Sequence, residues 1–366
     1  MLGPGIIAGN PAVGRSDRVR VLFDLSHPAH VLQFVPIARE LIARGHEVRL
    51  VGREKDVLRD LLEASGLPFE VPSAPPGPRG RLRDARELLM RVVALRRIVR
   101  HWSPAVVMTR NPSGVLAAVG TRAHSIFDTD DGRTVGLHYW LARPFADTTT
   151  SSVHDPESHG RDHRRYPGFK AQTYLHPERF RPDSDIRMRL GVPDGPLIVL
   201  RFSAHNASHD RRILGIDAPT RTTLVERCRA AGHLLIAREG QPTVLQTHAD
   251  PDRTIPSEDF LDVLASADLC VGDSQSVAVE AALLGVPTIR LSGFTGRHFT
   301  VTALEEGYGL IRNFAPGEEA ALLTEVERAL RMLPGRVRAA RTARDRLVTN
   351  TADPAAWFAD LVERVG

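Results

Sequence analysis

The amino-acid sequence predicts an α/β protein with two doubly wound, Rossmann-like domains and a cleft between them. The chain has 366 residues, more than one ordinary hydrophobic core holds. Short apolar runs alternate with segments of helical spacing, which is typical of parallel sheets covered by helices on both faces. This alternation stops at 148–165, where polar residues dominate, and then starts again. We therefore interpret 148–165 as irregular, and 166–170 together with the prolines at 177 and 182 as the crossing between two domains.

The first series begins with an alternating run at 19–25, predicted to be a strand that ends in a loop. An apolar stripe from Val31 to Ile42 predicts the first helix, and Pro36 fits best in its first turn, because deeper inside it would break the hydrogen-bond ladder. The remaining predicted elements are strands at 47–51, 67–71, 105–109 and 124–127 and helices at 55–64, 81–101 and 114–122.

The second series begins with a strand at 197–202. Its other predicted elements are a strand at 234–237 and helices at 220–231, 260–267, 318–332, 335–348 and 355–365. The predicted organisation is a loose tail at 1–18, an N-terminal domain at 19–175, a C-terminal domain at 176–345, and a C-terminal helical segment at 346–366. That last segment could pack back on the N-terminal domain.

Composition narrows the class of protein. Hydrophobic content of 42% and charged content of 25% suit a globular chain, and no apolar run reaches the roughly 18–20 residues of a membrane span. The segment 1–18 lacks the charged start and apolar centre of a signal peptide. Cys228 and Cys270 predict neither a disulfide framework nor a zinc site. We expect a cytoplasmic protein, with peripheral contact at the inner face of the membrane as an alternative.

Positive charge comes almost entirely from arginine, since Lys55 and Lys170 are the only lysines in the sequence. The net charge of +4 and the pI of 9.5 suit acidic ligands such as nucleotides, but they do not predict nucleic-acid binding. One predicted helix and its approach are crowded with arginines: Arg79, Arg81, Arg83, Arg86, Arg91, Arg96, Arg97 and Arg100. They form either a solvated face or a surface for an acidic membrane or partner.

The stretch 268–291 predicts a strand, a tight polar loop at 272–276, a helix and a following strand. A helix that starts after such a loop presents free backbone N–H groups, which suit a diphosphate. Ser274 and Ser276 add hydroxyl donors. Glu280 lies one turn beyond Ser276, where it could accept hydrogen bonds from sugar hydroxyls. The alternative is an ordinary strand-to-helix turn with a serine cap.

A second polar loop, 201–210, follows the first strand of the second domain. Arg201 suits phosphate by charge, and Ser203, His205 and Asn206 can donate hydrogen bonds. His205 and His209 would share a helical face and could bind a metal. No glutamate lies between them as in zinc peptidases, so we predict no metal site.

In the first domain, the loop after the first strand carries three candidate residues. His30 could act as a general base because histidine titrates near neutrality. Asp24 or His27 could orient it or contact an acceptor. Asn111, after another strand, could line the acceptor side or simply cap a helix. The alternative for His30 is a loop histidine with only local hydrogen bonds.

An acidic turn contains Asp128, Asp130 and Asp131. These carboxylates could bind a metal, act as acid or base, or contact a sugar, and we favour substrate contact. An ordinary Asp-rich turn is equally compatible with the pattern. A further set of His, Asp and Glu residues within 154–163 is interpreted as a solvated loop.

Together these motifs resemble a GT-B-type family, the domain of unknown function 354 family, which is similar to nucleotide-sugar glycosyltransferases and UDP-N-acetylglucosamine 2-epimerases. The resemblance runs from about Val19 to Phe314. The segments that carry it are 24–30 with Pro36, 128–131, 166–170, 201–210 and 272–287.

The resemblance implies that the second domain holds the nucleotide sugar. Glu280 would contact the ribose, the segment 255–260 would flank the base, and His30 would be the catalytic base, with Asp130 as the substitute. The groups implied around the donor diphosphate are those of Ser203, Ser274, Gln275 and Ser276, and Asp273 is assigned to the donor site without a named contact.

Two departures from related families matter. Pro28-Ala29 replaces the glycine-rich first loop of lipid-linked N-acetylglucosaminyl transferases. The Asp273-Ser-Gln-Ser sequence lacks the glycines of the epimerases. This difference weakens the epimerase interpretation more than the transferase interpretation. The resemblance therefore predicts a glycosyltransferase that uses a UDP-linked or similar donor, an unknown acceptor, no cofactor and no metal. A 2-epimerase, with the acidic turn as acid and base, and a non-catalytic nucleotide-sugar-binding protein are the alternatives.

Overall fold

A computed structural model describes residues 18–53, 56–72, 81–130, 132, 136–203, 215–238, 241–247, 253–296 and 298–366. The described residues form two compact units. The first unit comprises the described residues within Met1–Asp128, Leu137–Thr149 and Phe358–Gly366. The second unit comprises the described residues within Thr129–Gly136 and Thr150–Trp357. Residues 150–175, which the sequence analysis assigned to the N-terminal domain, thus cluster with the second unit. The predicted tail at 1–18 lies, apart from its last residue, outside the described residues.

The first sheet has the strand order β3-β2-β1-β4-β5-β6-β7. Its strands are β1 (Arg20–Asp24), β2 (Glu47–Val51), β3 (Phe69–Glu70), β4 (Val106–Thr109), β5 (His124–Asp128), β6 (Thr148–Ser152) and β7 (His163–Tyr166). The central strand β1 pairs in parallel with β2 and β4, and β4 pairs in parallel with β5. The predicted parallel sheet is confirmed, and its strand ends bring the loops after β1, β4 and β5 to one edge.

The helices of the first unit are α1 (Pro28–Ala43), α2 (Asp56–Ala64), α3 (Arg81–Trp102), α4 (Pro112–Ala118) and α5 (Leu137–Ala142). A 3₁₀ turn at Arg143–Phe145 follows α5. The C-terminal part of the last helix, Pro354–Val365, belongs to this unit, because Phe358–Gly366 clusters with it. Arg44 donates hydrogen bonds to Asp360 (2.6 Å) and Glu363 (3.2 Å) there.

Helix α1 begins at Pro28, eight residues before Pro36, which the sequence analysis expected in the first turn. His27 caps it through its Nδ1, which accepts a hydrogen bond from the N–H of Ala29 (3.2 Å), and Pro28 occupies the first turn. Pro36 therefore lies inside the helix, and its prediction as a first-turn residue is wrong. The physical reason is that the cap and Pro28 start the helix early, so burial of Phe34 and Ile37 outweighs the one hydrogen bond that Pro36 removes.

The segment 148–165 is not irregular as predicted, because it contains β6 and β7. All five residues of β6 are Thr or Ser and all are buried. Two of their hydroxyls are hydrogen-bonded within the same unit: Ser152 Oγ donates to the carbonyl of Gly168 (2.5 Å), and Ser151 Oγ bonds His163 Nε2 (2.8 Å). A polar strand of this kind carries no hydrophobic alternation, which is why the sequence pattern missed it.

The second sheet has the order β11-β10-β9-β8-β12-β13-β14. Its strands are β8 (Leu197–Phe202), β9 (His233–Arg238), β10 (Thr243–Gln246), β11 (Arg253–Ile255), β12 (Leu269–Gly272), β13 (Thr288–Leu291) and β14 (Ile311–Phe314). Strands β9, β8, β12, β13 and β14 are parallel neighbours. At one edge β10 runs antiparallel to β9 and β11, which the sequence did not predict because both strands are short, polar and partly exposed.

The helices of the second unit are α6 (Gln172–Leu175), α7 (Ile186–Arg189), α8 (Ala218–Ala231), α9 (Phe260–Ala265), α10 (Gln275–Leu283), α11 (Phe299–Thr302), α12 (Glu319–Arg331) and α13 (Leu333–Asn350), and α14 (Pro354–Val365) follows them. A 3₁₀ turn at Ser257–Asp259 precedes α9, and a π-helical turn at Ala303–Gly307 follows α11. Seven of the nine residues of α10 are buried, so this helix is enclosed by its neighbours. Cys228 and Cys270 are buried and free.

Helix α3 exposes a face that mixes apolar and basic residues. Its exposed positions with 3- and 4-residue spacing are Arg86, Leu89, Met90, Val93, Arg97 and Arg100. Among the arginines predicted here, Arg79 and the side chains of Arg81 and Arg83 lie outside the description. Across the described ranges, no helix is long and apolar enough to cross a membrane.

The close approach of β8 and β12 requires glycine at position 272. A Cβ atom there would lie 2.1 Å from the carbonyl oxygen of Arg201, which is backbone and cannot rotate away. We expect Gly272→Ala to lower the free energy of unfolding by about 1–3 kcal/mol, as overpacking does.

The control is Gly335→Ala in α13, where no atom lies within 4 Å of the added Cβ. This change should leave stability unchanged or raise it by up to about 1 kcal/mol, because alanine favours helix. Urea denaturation of both variants measures the difference. Equal stability of the two variants would contradict the packing argument.

Candidate functional site

The turn between β12 and α10 lies in the second unit, at the N-terminus of a buried helix. Ser274 is the N-cap of α10, and its side chain makes no capping hydrogen bond. By helix geometry, the N–H groups of the first turn have no intrahelical acceptor. Ser274 and Gln275 are half-buried and Ser276 is exposed, with 3.4 Å between the two serine Oγ atoms. The turn therefore offers backbone and hydroxyl donors to an anion.

Asp273 holds this turn in place from inside the protein. Its buried carboxylate accepts hydrogen bonds from the N–H groups of Ser203 (2.6 Å) and Ile216 (3.3 Å) and from Arg221 Nη2 (3.0 Å). These bonds place Ser203, at the end of β8, beside the start of α10. The structure thus gives Asp273 a positioning role, and its predicted contact with a donor stays a prediction.

Glu280 is almost fully buried, with 6% of its surface exposed. Its Oε1 accepts a hydrogen bond from Tyr174 Oη (2.7 Å). Burial raises the pKa of Glu280 from 4.5 to about 7, although Tyr174, Lys170 and Arg201 act in the opposite direction. The same burial, with Glu280 next to it, raises the pKa of Tyr174 well above 10. Sequence reasoning missed Tyr174, since nothing local links it to a residue 106 positions away.

Lys170 connects the acidic turn to Glu280 within the second unit. It forms an ion pair with Asp130, and its positive charge acts to lower the pKa of Glu280. Asp130, Lys170, Tyr174 and Glu280 therefore belong to one group of interacting side chains. Asp131 lies outside the described residues, so its predicted contact stays a prediction.

Two arginines lie at strand ends in the same unit. Arg201 is half-buried, donates from Nη1 to the carbonyl of Phe202 (2.8 Å), and is close enough to lower the pKa of Glu280. Arg290 pairs in register with Gly272 and is 1% exposed. His205, Asn206 and His209 of the predicted phosphate loop lie outside the described residues.

Arg290 is a candidate that sequence reasoning missed. Its Nη1 donates to Asn313 Oδ1 (3.3 Å), while its Nε and Nη2 have no hydrogen-bond partner among the residues that the structure describes. Burial lowers its pKa to about 10. An arginine within a short apolar run was the available signal, because a buried charge is costly unless it is paired.

In the first unit, Asp24 is fully buried at the end of β1. Arg91 binds it through Nε (3.0 Å) and Nη2, and the hydroxyls of Thr109 (3.1 Å) and Ser113 (2.7 Å) donate to its other oxygen. These bonds connect β1, β4, α3 and α4. The described contacts make Asp24 a residue that positions the strand ends, while its predicted catalytic role is untested.

His30, His27 and Asn111 lie at the same edge of the first sheet. The N–H of Ser26 donates to His30 Nδ1 (3.4 Å), and Ser26 Oγ bonds Asn111 Oδ1 (2.8 Å). The His27 and His30 rings lie 5.9 Å apart. Asn111 is the N-cap residue of α4, as the helix-cap alternative expects, but its side chain makes no capping hydrogen bond. The reason is that Ser26 engages its carbonyl oxygen.

Asp128 is also buried, and its Oδ2 accepts hydrogen bonds from Arg110 Nη1 (2.6 Å) and Gln33 Nε2 (2.8 Å). This pairing gives Asp128 a structural partner, and its predicted contact with an acceptor stays a prediction.

The polar set within 154–163 is not a solvated loop. His159 and Asp155 are buried and form a hydrogen bond of 2.7 Å with each other. In the parts of the chain that the structure describes, no group of three or more His, Cys, Asp and Glu residues is arranged to hold a metal ion.

The raised pKa of Glu280 predicts a specific pH dependence of stability. A carboxyl whose folded-state pKa is about 7 rather than 4.5 stabilises the fold fully below pH 4.5 and loses that contribution as pH rises through 7. Glu280→Gln keeps an acceptor for Tyr174 but does not titrate. We expect this variant to gain up to about 3 kcal/mol of stability relative to wild type between about pH 4.5 and pH 8.

Urea denaturation of both proteins across this range measures the effect. His163, whose pKa burial lowers to about 4, titrates in both proteins and cancels in the difference. A stability difference that does not change with pH would show that the pKa of Glu280 is not raised in the folded protein.

Comparison with solved structures places the fold. A putative UDP-N-acetylglucosamine 2-epimerase from Listeria monocytogenes matches with a TM-score of 0.62 and 13% identity, over 92% of each chain. The UDP-GlcNAc 2-epimerase from Neisseria meningitidis bound to UDP-GlcNAc matches with a TM-score of 0.63 and 11% identity, over 94% of this chain and 99% of that one. A glycosyltransferase from Rickettsia africae matches with a TM-score of 0.56 and 12% identity, over 95% of this chain and 99% of that one.

These likenesses show the GT-B fold of epimerases and glycosyltransferases and confirm the predicted fold class. No family model matches the sequence, and no curated protein matches it. Membership of the domain of unknown function 354 family therefore stays a prediction.

Proposed function

We propose that the protein is a nucleotide-sugar-dependent glycosyltransferase whose second unit holds the donor and whose first unit holds the acceptor. The observation that carries the proposal is the turn before α10, where uncapped N–H groups and two serine hydroxyls precede the buried Glu280. Hydrogen-bond donors that suit an anion lie at the start of this helix, and a carboxylate follows along it. This order suits a ligand that continues from a diphosphate to a ribose.

In this proposal the diphosphate accepts hydrogen bonds from Ser203, Ser274, Gln275 and Ser276. Glu280, held by Tyr174, accepts from the ribose hydroxyls. When the bond to the sugar breaks, negative charge develops on the departing diphosphate, and the N-terminus of α10 stabilises it.

Positive charge near this turn supports the same assignment. Arg201 lies at the end of β8, and Arg290 lies beside Gly272, with two of its nitrogens lacking a partner within the described ranges. Guanidinium groups bind phosphate oxygens well. The proposal therefore assigns neutralisation of the leaving group to the protein itself.

His30 is proposed as the base that removes the acceptor's proton. In the resting state His30 Nδ1 accepts a hydrogen bond from the N–H of Ser26 (3.4 Å), so the neutral ring carries its proton on Nε2. To act as the base, the ring gives up this long hydrogen bond and turns Nδ1 to the acceptor hydroxyl, whose proton Nδ1 then takes. Asp130 is the weaker candidate, because Lys170 is paired with it.

The names of structural neighbours support a nucleotide-sugar ligand without deciding the reaction. Two of them are described with UDP-GlcNAc or UDP bound, and a spinosyn rhamnosyltransferase is described in complex with spinosyn aglycone.

Donor binding is tested by calorimetry with a panel of UDP-, dTDP- and GDP-sugars. We expect one class to bind, and Glu280→Gln to weaken that binding about tenfold at pH 8, where the Glu280 carboxyl is ionised, through loss of a charged acceptor worth about 1.4 kcal/mol. The matched control is Glu306→Gln, an exposed glutamate of the same unit. Absence of binding by every nucleotide sugar would refute the proposal.

The role of His30 is tested by His30→Ala. We expect release of nucleoside diphosphate, with a panel of hydroxyl-bearing acceptors, to fall by about 10²–10⁴-fold, the usual contribution of a general base. Donor affinity should stay within about twofold, since His30 belongs to the other unit. His101→Ala, an exposed histidine of α3, is the control. Full turnover in His30→Ala would remove His30 from the mechanism.

A 2-epimerase is the second candidate. The observation that favours it is the grouping of Asp130, Lys170 and Glu280 within the second unit, which supplies an acid, a base and a donor contact without an acceptor. Incubation with UDP-N-acetylglucosamine alone separates the two, because only an epimerase forms the C2 isomer. Binding with neither isomer nor transfer product would leave a nucleotide-sugar-binding protein.

A further inference from the structure

The first unit contains a cavity of about 730 Å³ next to the ends of β1 and β4. This volume suits a ligand of drug-like size. Helices α3 and α5 form two of its walls, and the start of α4 forms a third. Its lining includes Ser26, Ala85, Leu88, Asn111, Leu137 and Leu141.

The walls of the cavity are largely aliphatic. Leu88 of α3 and Leu141 of α5 are half-buried, and Leu137 is 70% exposed at the surface. Pro112 adds a further apolar side chain from the start of α4. An apolar body placed between these side chains would remove their surface from water, at about 25 cal/mol per Å².

One end of the cavity is polar and close to the proposed base. Ser26 and Asn111 both line it and are hydrogen-bonded to each other. Asn111 Nδ2 is buried and has no hydrogen-bond partner in the described part of the chain. The N–H of Ser26 contacts His30. A hydroxyl group at this end would therefore lie near donors, an acceptor and the imidazole.

The charged side chains that line the cavity are already paired. Arg53 and Glu87 form an ion pair, and Arg91 binds Asp24 and the carbonyls of Leu25, Val51 and Gly52. An anionic ligand would have to break one of these pairs. This arrangement favours a ligand that carries no charge in the cavity.

We propose that this cavity binds the acceptor, and that the acceptor is an uncharged apolar body, either a ring system or a prenyl-type chain, bearing one hydroxyl. The inference rests on the proposed transferase function and adds the acceptor class. The hydroxyl oxygen forms a bond to the anomeric carbon of the donor sugar. The bond from that carbon to the diphosphate oxygen breaks, its electron pair leaves with the nucleoside diphosphate, and the hydroxyl proton passes to His30.

The test measures binding of 1-naphthol, geraniol and glucose to the full chain by calorimetry. We expect 1-naphthol, geraniol or both to bind at least about tenfold more tightly than glucose. Leu88→Arg places a charge in the cavity, and Ala85→Phe fills it from an exposed helical position. Each should weaken binding about tenfold or more. Leu89→Arg is the matched control, because Leu89 is 61% exposed on the same helix and does not line the cavity.

Tighter binding of 1-naphthol identifies a ring system, and tighter binding of geraniol identifies a prenyl-type chain. The inference is overturned if neither alcohol binds better than glucose, or if Leu89→Arg weakens binding as much as Leu88→Arg and Ala85→Phe do. Nucleotide-sugar affinity, measured in the same samples, separates this failure from failure of the proposed function. A protein that binds a nucleotide sugar but neither alcohol keeps the function and loses the inference.

Discussion

Each sheet depends on a buried aspartate at the end of a central strand. A parallel sheet collects the ends of its strands at one edge, where a charged side chain is costly unless it is paired and hydrogen-bonded. Asp24 is satisfied by Arg91 and two hydroxyls, and Asp273 by Arg221 and two backbone N–H groups. Arginine suits this task because its planar group makes several bonds at fixed angles, in keeping with a chain that has only two lysines.

This constraint also shapes the candidate site. Because Asp273 holds Ser203 beside the start of α10, the free donors of the helix and the serines converge without a capping side chain. Glu280 follows on the same helix in surroundings that favour its neutral form, with Tyr174 as its partner. The Arg290 nitrogens that have no hydrogen-bond partner among the described residues carry a free-energy cost.

Much of the donor-site hypothesis could be made from local sequence. The strand, polar loop, helix and glycine stop at 268–291 are short-range features, and the structure contains each of them. What local sequence did not reveal is which polar residues face inward. Asp24 and Asp273 look like loop aspartates in the sequence, and only contacts with Arg91 and Arg221, 67 and 52 positions away, give them a structural role.

The sequence by itself determined the α/β class, the parallel cores and most helices, because apolar periodicity is a local signal that burial enforces. Tertiary structure decided the rest. The buried Thr/Ser strand β6 and the antiparallel edge at β10 have no apolar pattern, so only pairing with neighbouring strands specifies them. The Tyr174–Glu280 bond and the cavity between α3 and α5 join segments far apart in the chain. Such features arise from packing, and no local spacing encodes them.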